Sequence, residues 1–230
     1  MYKLNEFSKR EQLDIALADQ VSTILADAVK ERGRASIAVS GGSTPKGFFN
    51  ALSKKDLPWS DITITLADER WVDMDSADSN TRLVHEHLLQ NKAVSAKFFH
   101  LKQGEQLSQE TLADLNLAAK STLLPLDVLI LGMGEDGHTA SLFPCSDQID
   151  ECLAKSTSPL LRVQPKTAPH ERITFSFIYL KQSKNTFLHI SGLNKKAVLE
   201  KAIAGTDYRE MPIRAFIQDP DINTQVYWAE

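Results

Sequence analysis

The stretch Asp127-Val-Leu-Ile-Leu-Gly-Met-Gly-Glu-Asp-Gly-His138 joins the most apolar segment of the chain to a glycine-rich loop. Its uninterrupted run of aliphatic residues predicts a strand that is covered on both faces, as is typical of the centre of a parallel sheet. Ligands of open parallel sheets bind beyond the carboxyl ends of the strands, so the loop after this strand is a candidate site. Glu135, Asp136 and His138 in that loop are residue types that transfer protons.

The same order of strand, polar loop and helix is found on the N-terminal side of this stretch. Ala35–Ser40 reads as a short buried strand that runs into Gly41-Gly-Ser-Thr-Pro45. Ile62–Ala67 reads as a second strand, and it runs into Asp68-Glu-Arg70. Each of the three loops is therefore expected at the same edge of the sheet.

Periodicity and turn residues predict the other elements. Ser8 and Glu11 form a capping box that starts a long amphipathic helix, which Gly33 ends. Further helices are expected after Pro45, after Ser79-Asn80, over Ser108–Lys120 and over Lys195–Ala204, and further strands at Phe98–Leu101, Leu160–Val163, Arg172–Phe177, Asn185–Ile190 and Gln225–Trp228.

This alternation of strands and helices predicts an α/β protein with three layers and a mainly parallel sheet. We expect one domain over residues 1–230. Residues 144–170, which are richer in Pro, Ser and Lys, are a candidate lid or small subdomain.

Composition excludes several classes of partner. The 230 residues include 26 Lys and Arg against 30 Asp and Glu, a net charge of −4, without a block of like charges. Nucleic acids and anionic membranes require a broad basic surface, so neither is expected as a partner. No apolar run approaches the roughly 18–20 residues that span a bilayer, and no signal peptide is recognisable, which predicts a cytoplasmic protein. Cys145 and Cys152 are too few for a disulfide framework and lack zinc-finger spacing, so no structural zinc site is expected.

The loop Ser40-Gly-Gly-Ser-Thr-Pro45 has the features of a phosphate cradle. Its two glycines permit positive φ and close approach, and its N–H groups and hydroxyls precede a helix. A plain tight turn is the alternative interpretation, although the strand before it and the helix after it favour anion binding. The loop lacks the Gly-Lys-Ser/Thr ending of a Walker motif.

The tripeptide Asp68-Glu-Arg70 places three charges directly after an apolar strand. Burial of unpaired charges is costly, so these side chains are expected to face solvent or a ligand. An arginine can present its fork to a phosphate, and a carboxylate can orient a group or accept a proton. A solvated loop without a ligand is the alternative.

The loop Gly132-Met-Gly-Glu-Asp-Gly137 matches the dinucleotide fingerprint, but its chemistry does not fit a dinucleotide. Glu135 and Asp136 would repel a pyrophosphate, and Pro144 interrupts the long helix that the motif requires. The loop suits proton transfer better, because a free imidazole titrates near pH 6.5 and a neighbouring carboxylate can fix its tautomer.

Together, the three loops resemble the 6-phosphogluconolactonase family. The motifs that carry the resemblance are Ser40-Gly-Gly-Ser-Thr-Pro45, Asp68-Glu-Arg-Trp-Val72 with Asp78-Ser-Asn80, Gly132-Met-Gly-Glu-Asp-Gly-His-Thr-Ala-Ser-Leu-Phe-Pro144, Pro169-x-x-Arg172-Ile-Thr174, Gly192-Leu-Asn-Lys195, Pro212-Ile-Arg-Ala215 and Trp228. They extend over nearly the whole chain. The resemblance implies the modified Rossmann-like fold of glucosamine-6-phosphate deaminase, ribose-5-phosphate isomerase and the CoA transferases.

The resemblance also implies an activity and a set of site residues. The activity is hydrolysis of 6-phospho-D-glucono-1,5-lactone to 6-phosphogluconate, the second step of the oxidative pentose phosphate pathway, and it requires no metal or cofactor. The sequence leaves open whether the chain is a monomer or a small homo-oligomer. The implied catalytic residues are His138 as general base, Asp136 and Asp68. The implied substrate- and phosphate-binding residues are Gly41, Gly42, Ser43, Thr44, Arg70, Arg172 and Lys195.

Two other functions remain as alternatives. Glucosamine-6-phosphate deaminases share the Asp-Gly-His core but have a glutamate five residues after the histidine, where this chain has Phe143. An apolar ring cannot transfer a proton, which disfavours the deaminase reaction. A non-catalytic sugar-phosphate sensor would need the phosphate loop but not His138.

Overall fold

The computed structural model describes residues 2–230, within which two sheets are formed. The strands are β1 (Tyr2–Phe7), β2 (Ala35–Val39), β3 (Ile62–Leu66), β4 (Asp68–Arg70), β5 (Lys97–Phe99), β6 (Val128–Leu131), β7 (Leu160–Val163), β8 (Arg172–Phe175), β9 (Asn185–Ser191) and β10 (Thr224–Ala229). The α-helices are α1 (Arg10–Arg32), α2 (Lys46–Leu52), α3 (Asn80–His87), α4 (Gln109–Thr122), α5 (Ile149–Cys152), α6 (Phe177–Leu180), α7 (Leu193–Ala204) and α8 (Arg214–Ile217).

The larger sheet is parallel throughout, has the order β1-β10-β9-β6-β2-β3-β5, and is flanked by helices. Strand β6 lies near its centre, and all four of its residues are buried, as its aliphatic sequence predicts. The chain runs outward from β2 to β3 and β5 and then returns to the other side of β2 as β6. Loops that leave neighbouring strands at such a reversal diverge and open a crevice, which is the usual ligand position in this class of sheet.

The edge strand β1 was not predicted. Tyr2–Phe7 pairs in parallel with β10, from Tyr2 opposite Thr224 to Phe7 opposite Ala229. Polar residues occupy half of this segment, and only some of its residues turn toward the protein, so the sequence carries no apolar run that would mark a strand.

Helix α1 begins differently from the prediction. Its N-cap is Lys9 rather than Ser8, and the Lys9 side chain makes no capping hydrogen bond. The Ser8 hydroxyl donates instead to the side-chain oxygen of Gln12, at 2.8 Å, so the predicted capping box with Glu11 is wrong. The end at Gly33 is confirmed, since this residue adopts φ 70° and donates its N–H to Val29.

The second sheet is antiparallel, with the order β4-β8-β7. Its strand β4 is the segment 68–70 that was predicted as a loop. In the ladder Asp68 lies opposite Thr174 and Arg70 lies opposite Arg172. Strand β7, at the predicted bounds, contributes part of residues 144–170 to this sheet. The small sheet therefore brings residues that are about 100 positions apart in sequence to one edge of the parallel sheet.

The remaining predicted helices and strands are present with shifts at their ends, such as that of β5, which ends at Phe99 rather than at residue 101. No helix within residues 2–230 combines the length and the apolarity that a membrane crossing requires.

Candidate active site

A cavity of about 280 Å³ opens beyond the carboxyl ends of β2 and β6. Nine of the ten residues that the sequence predicted for the site line this cavity, namely Gly41, Gly42, Ser43, Thr44, Asp68, Arg70, His138, Arg172 and Lys195. The tenth, Asp136, does not line it. Typical small-molecule pockets measure about 300–1,000 Å³, so this cavity suits one small ligand rather than a dinucleotide.

Ser40 joins the two strands at the base of the cavity. Its hydroxyl donates to the carbonyl of Ile130, at 3.0 Å, and accepts the N–H of Gly132, at 3.2 Å. The glycine loop after β2 and the His138 loop after β6 are therefore fixed relative to each other by a side chain that was not predicted as a site residue.

His138 is oriented by Asp136. The carboxylate oxygen Oδ1 of Asp136 lies 2.5 Å from Nδ1 of His138 and also accepts the His138 backbone N–H, at 3.1 Å. A hydrogen bond to Nδ1–H leaves Nε2 as the nitrogen that can accept a proton. Burial opposes ionisation of Asp136, but the hydrogen bond and the charge of His138 prevail and lower the pKa of this carboxyl below its ordinary value. Asp136 thus acts on the cavity through the imidazole.

Asn80 was quoted as part of a motif but was not predicted as a site residue. Its side chain is 3 % exposed, donates to the carbonyl of Asp68, at 3.0 Å, and lines the cavity. A Cβ at Gly41 would lie only 1.8 Å from Oδ1 of Asn80. The requirement for glycine at position 41 therefore comes from the close approach of the loop to Asn80, which sequence alone does not show.

The prediction that the acidic side chains of 68–70 face solvent or a ligand is wrong for Glu69, which is 1 % exposed. Its carboxylate accepts the backbone N–H groups of Asn80, at 2.9 Å, and Thr81, at 2.6 Å, in the first turn of α3. Unpaired N–H groups at a helix start readily bind a carboxylate, which offsets the cost of burial. Burial still raises the pKa of Glu69 above its usual value, although these N–H groups oppose the increase.

Asp68 does line the cavity, but its carboxylate is also engaged within the protein. Oδ2 accepts the hydroxyl of Ser141, at 2.5 Å, and lies 3.9 Å from Nη1 of Arg172. The side chain is buried with this arginine beside it, so Asp68 connects the chain after β3 to the cationic part of the cavity.

Arg70 and Arg172 form a cationic pair at one wall. They are direct partners in the antiparallel ladder of β4 and β8, and the Nε atom of each is buried without a hydrogen-bond partner among residues 2–230. Like charges opposite each other in a ladder destabilise it, whereas an anion between them relieves the repulsion. Burial lowers the pKa of Arg172 below its ordinary value. The charge of Arg70 adds to this decrease, whereas the charge of Asp68 opposes it. The arrangement is typical of an anion site.

The structure also distinguishes two neighbouring lysines. Lys195, near the start of α7, lines the cavity. Lys196 points elsewhere: its ammonium lies 2.5 Å from Oε1 of Glu6 and 4.2 Å from the centre of the Trp228 ring. The Gly-x-x-Lys spacing therefore selects the lysine that reaches the cavity.

The chain after the Gly132–Gly137 loop excludes a dinucleotide site there. Residues 133–148 form turns, and the next helix, α5, has only four residues. The turn closes on itself through the N–H of Gly134, which donates to the carbonyl of His138, at 2.8 Å. This conformation presents the side chain of His138 and does not cradle a pyrophosphate. Over residues 2–230, no group of three or more acidic, histidine or cysteine side chains is placed to hold a metal ion.

Comparison with known proteins agrees with this geometry. A monomeric glucosamine-6-phosphate deaminase of the NagB superfamily superposes with a TM-score of 0.80 at 19 % identity, over 99 % of this chain and 97 % of that one, which shows a common fold. The crystal structure of a 6-phosphogluconolactonase from Shewanella baltica superposes with a TM-score of 0.97 at 40 % identity, over 100 % of this chain and 98 % of that one.

The sequence comparisons define the family. The family described as "Glucosamine-6-phosphate isomerases/6-phosphogluconolactonase" matches residues 8–228. A 6-phosphogluconolactonase of Rhizobium meliloti is 43 % identical over 224 residues, which are 97 % of this chain and 97 % of that protein. The chain belongs to the glucosamine-6-phosphate isomerase/6-phosphogluconolactonase family, and the predicted fold class and family resemblance are confirmed.

Proposed function

We propose that this chain hydrolyses 6-phospho-D-glucono-1,5-lactone to 6-phosphogluconate, as the second step of the oxidative pentose phosphate pathway. The names of its relatives support this reaction within the family. The structural observation that carries the proposal is the position of His138: its Nδ1 is bound by Asp136, and it lines the same cavity as Arg70, Arg172 and Lys195. One cavity therefore combines a proton acceptor with cations for a phosphate.

His138 would act as the general base. Its Nε2 takes a proton from a water molecule as the water oxygen attacks the lactone carbonyl carbon and forms a tetrahedral intermediate. The intermediate collapses by cleaving the bond between that carbon and the ring oxygen, and His138 returns the proton to the departing oxygen. The products are a free hydroxyl and a carboxylic acid that ionises in water. Positioned proton transfer of this kind contributes about 10²–10⁴-fold.

The phosphate would be bound by the glycine loop and the three cations. The loop 41–44 approaches Asn80 closely and lines the cavity with little side-chain bulk, which leaves room for an anion. Arg70 and Arg172 lie on one wall, and Lys195 is supplied by α7. Asp68 contributes by orienting Arg172 rather than by transferring the proton, because Oδ2 is already bonded to Ser141.

The deaminase reaction is the nearest alternative, and Phe143 disfavours it. The side chain at this position is 3 % exposed and stacks on His138, at 4.1 Å between ring centres. The position at which deaminases have a glutamate for ring-opening proton transfer is therefore occupied by an apolar ring, and this ring lies directly against His138.

The function is tested by generating the lactone in situ and measuring acid release, with glucosamine 6-phosphate offered separately and ammonia measured. We expect acid release well above the spontaneous rate and no ammonia. Ammonia release would establish the deaminase reaction instead. Binding of 6-phosphogluconate without acceleration of either reaction would identify a sensor.

We further propose that residues 1–230 act as one domain in the cytoplasm, as a monomer or small homo-oligomer, with part of 144–170 covering the site. In support, β7 pairs with β8, which carries Arg172. Sedimentation with and without 6-phosphogluconate, combined with limited proteolysis of 144–170, tests these statements. Protection of the segment by the ligand supports a cover, and unchanged cleavage contradicts it.

A further inference from the structure

The imidazole of His138 is confined by Gly134 and Phe143 as well as by its hydrogen bond to Asp136. A Cβ at Gly134 would lie 2.1 Å from Nδ1 and 2.2 Å from Cε1 of His138, so the ring occupies the space that the missing side chain leaves. Phe143 packs against the imidazole, with 4.1 Å between ring centres and 27° between ring planes. Asp136 fixes one nitrogen, whereas Gly134 and Phe143 together fix the plane of the ring.

The position of Phe143 is set by the turn that joins it to His138. The hydroxyl of Thr139 donates to the carbonyl of Gly132, at 2.8 Å, and the N–H of Leu142 donates to the carbonyl of Thr139, at 3.0 Å. The chain therefore folds back and places the residue five positions after His138 against its imidazole. The aromatic side chain is 3 % exposed and thus has little freedom to leave this place.

Phe143 also contacts the cationic wall. The guanidinium carbon of Arg172 lies 5.4 Å from the centre of the Phe143 ring. An aromatic face attracts cations, and His138 becomes a cation each time it accepts a proton. The same ring therefore lies beside the group that gains charge during the reaction and beside a cation of the phosphate site.

We propose that Phe143 is a positioning residue that fixes the plane of the His138 imidazole and aligns it with Arg172 across one aromatic ring. The expected effect on kcat rests on the proposed lactone hydrolysis, whereas the expected orientation of the His138 ring does not. A misaligned base loses rate in the chemical step. Arg172 keeps its ladder position opposite Arg70 and its place beside Asp68 when the Phe143 ring is lost, so binding of the phosphate should change less. Phe143 should therefore influence kcat more than KM.

The kinetic test compares Phe143→Leu and Phe143→Met, which remove the aromatic ring, with Phe143→Tyr, which keeps it. We expect the first two to lower kcat by about 10–100-fold with KM within about twofold, and the tyrosine to retain most of the activity. Phe187→Leu is the matched control, because Phe187 is fully buried and packs against Tyr227, at 5.8 Å between ring centres, outside the cavity. It should lower stability and leave kcat unchanged.

The structural test uses NMR of the His138 Cε1 proton, assigned by its loss in His138→Gln. In the wild type, the stacked Phe143 ring should shift this signal upfield. Phe143→Leu should return the signal toward the position of a free histidine. If the leucine variant does not fold, Phe143→Met replaces it in both tests. A wild type that lacks lactonase activity would overturn the proposed function, and the NMR comparison would then still decide the role of Phe143. The proposal is overturned if the folded variants have the same Cε1 proton shift as the wild type and also keep the wild-type kcat.

Discussion

Oδ1 of Asp136 accepts two hydrogen bonds from one residue, from Nδ1 of His138 at 2.5 Å and from the His138 backbone N–H at 3.1 Å. The carboxylate therefore fixes both the ring and its attachment to the chain. The orientation of the base is therefore built into a span of three residues, from Asp136 to His138, and it leaves Nε2 as the nitrogen that can face the cavity.

Replacement of Asp136 by asparagine should lower kcat by about 10²-fold or more, because an amide can donate to Nδ1 and stabilise the wrong tautomer. KM should change little, since Asp136 does not line the cavity. Steady-state kinetics of Asp136→Asn measures both constants. Asp56→Asn is the control, because Asp56 is exposed and pairs with Lys92 away from the cavity. Equal kcat in the two variants would contradict the assignment.

The dependence of kcat/KM on pH should have a single acid limb. Hydrogen bonding to His138 lowers the pKa of Asp136 below its ordinary value despite burial, so this carboxylate remains ionised while His138 gains a proton. An imidazolium cannot accept a proton from water, and the rate should therefore fall with decreasing pH as His138 becomes protonated. A pH series with circular dichroism at each point separates this effect from unfolding. A flat profile from about pH 5 to 8 would exclude His138 as the base.

Lys195 and Lys196 provide a matched pair for testing the phosphate site. Lys195→Ala should raise KM by about 10-fold or more and change kcat little, because it removes a charge-assisted contact to the phosphate in both the ground state and the transition state. Lys196→Ala should leave both constants near the wild-type values, since Lys196 pairs with Glu6 and packs on Trp228. The assay is lactone hydrolysis over a range of substrate concentrations. A larger KM effect at Lys196 would contradict the assignment.

Asp14 and His189 should make opposing contributions to the pH dependence of stability. Nε2 of His189 lies 3.5 Å from Oδ1 of Asp14, and burial lowers the pKa of His189 to about 4, with Arg10 adding to the shift. The unfolded state then binds more protons than the folded state, so this contribution is lost as the pH falls from about 6.5 toward 4. Burial, followed by the charge of Glu11, raises the pKa of Asp14 to about 6, so its contribution is lost as the pH rises through 6.

Each single variant should remove the pH-dependent contribution of the residue that it replaces. Compared with the wild type, His189→Gln should gain free energy of unfolding toward pH 4, and Asp14→Asn should gain it toward pH 7, each by up to about 3 kcal/mol. Urea denaturation of the three proteins at several pH values measures these differences. Differences that do not vary with pH would show that neither residue has a shifted pKa in the folded state.

The sequence predicted the elements whose residues carry a periodic or apolar signal, including β6 with its aliphatic run and α1 up to Gly33. It missed β1, because pairing with β10, 222 residues further on at Tyr2 and Thr224, decides that strand and leaves little local signal. It also took 68–70 for a loop, since burial of Glu69 depends on N–H groups that α3 supplies.

For the candidate site, sequence located the loops, whereas the contacts between them required the structure. Lys195 and His138 were predicted from spacing, residue chemistry and the family resemblance, and both line the cavity. Asn80, Ser40 and the stacking of Phe143 were not predicted, because each depends on how separate segments approach one another. The close contact between Gly41 and Asn80 illustrates this, since a glycine in a sequence does not show which neighbour excludes its side chain.

The role of His138 is tested most sharply by hydrolysis of 6-phospho-D-glucono-1,5-lactone, generated in situ, with the wild type and His138→Ala compared by acid release at constant pH. We expect the wild type to far exceed the spontaneous rate and the variant to lose about 10²–10⁴-fold in kcat while it still binds 6-phosphogluconate. Hydrolysis at the same rate by both folded proteins would contradict the assignment of His138 as the general base.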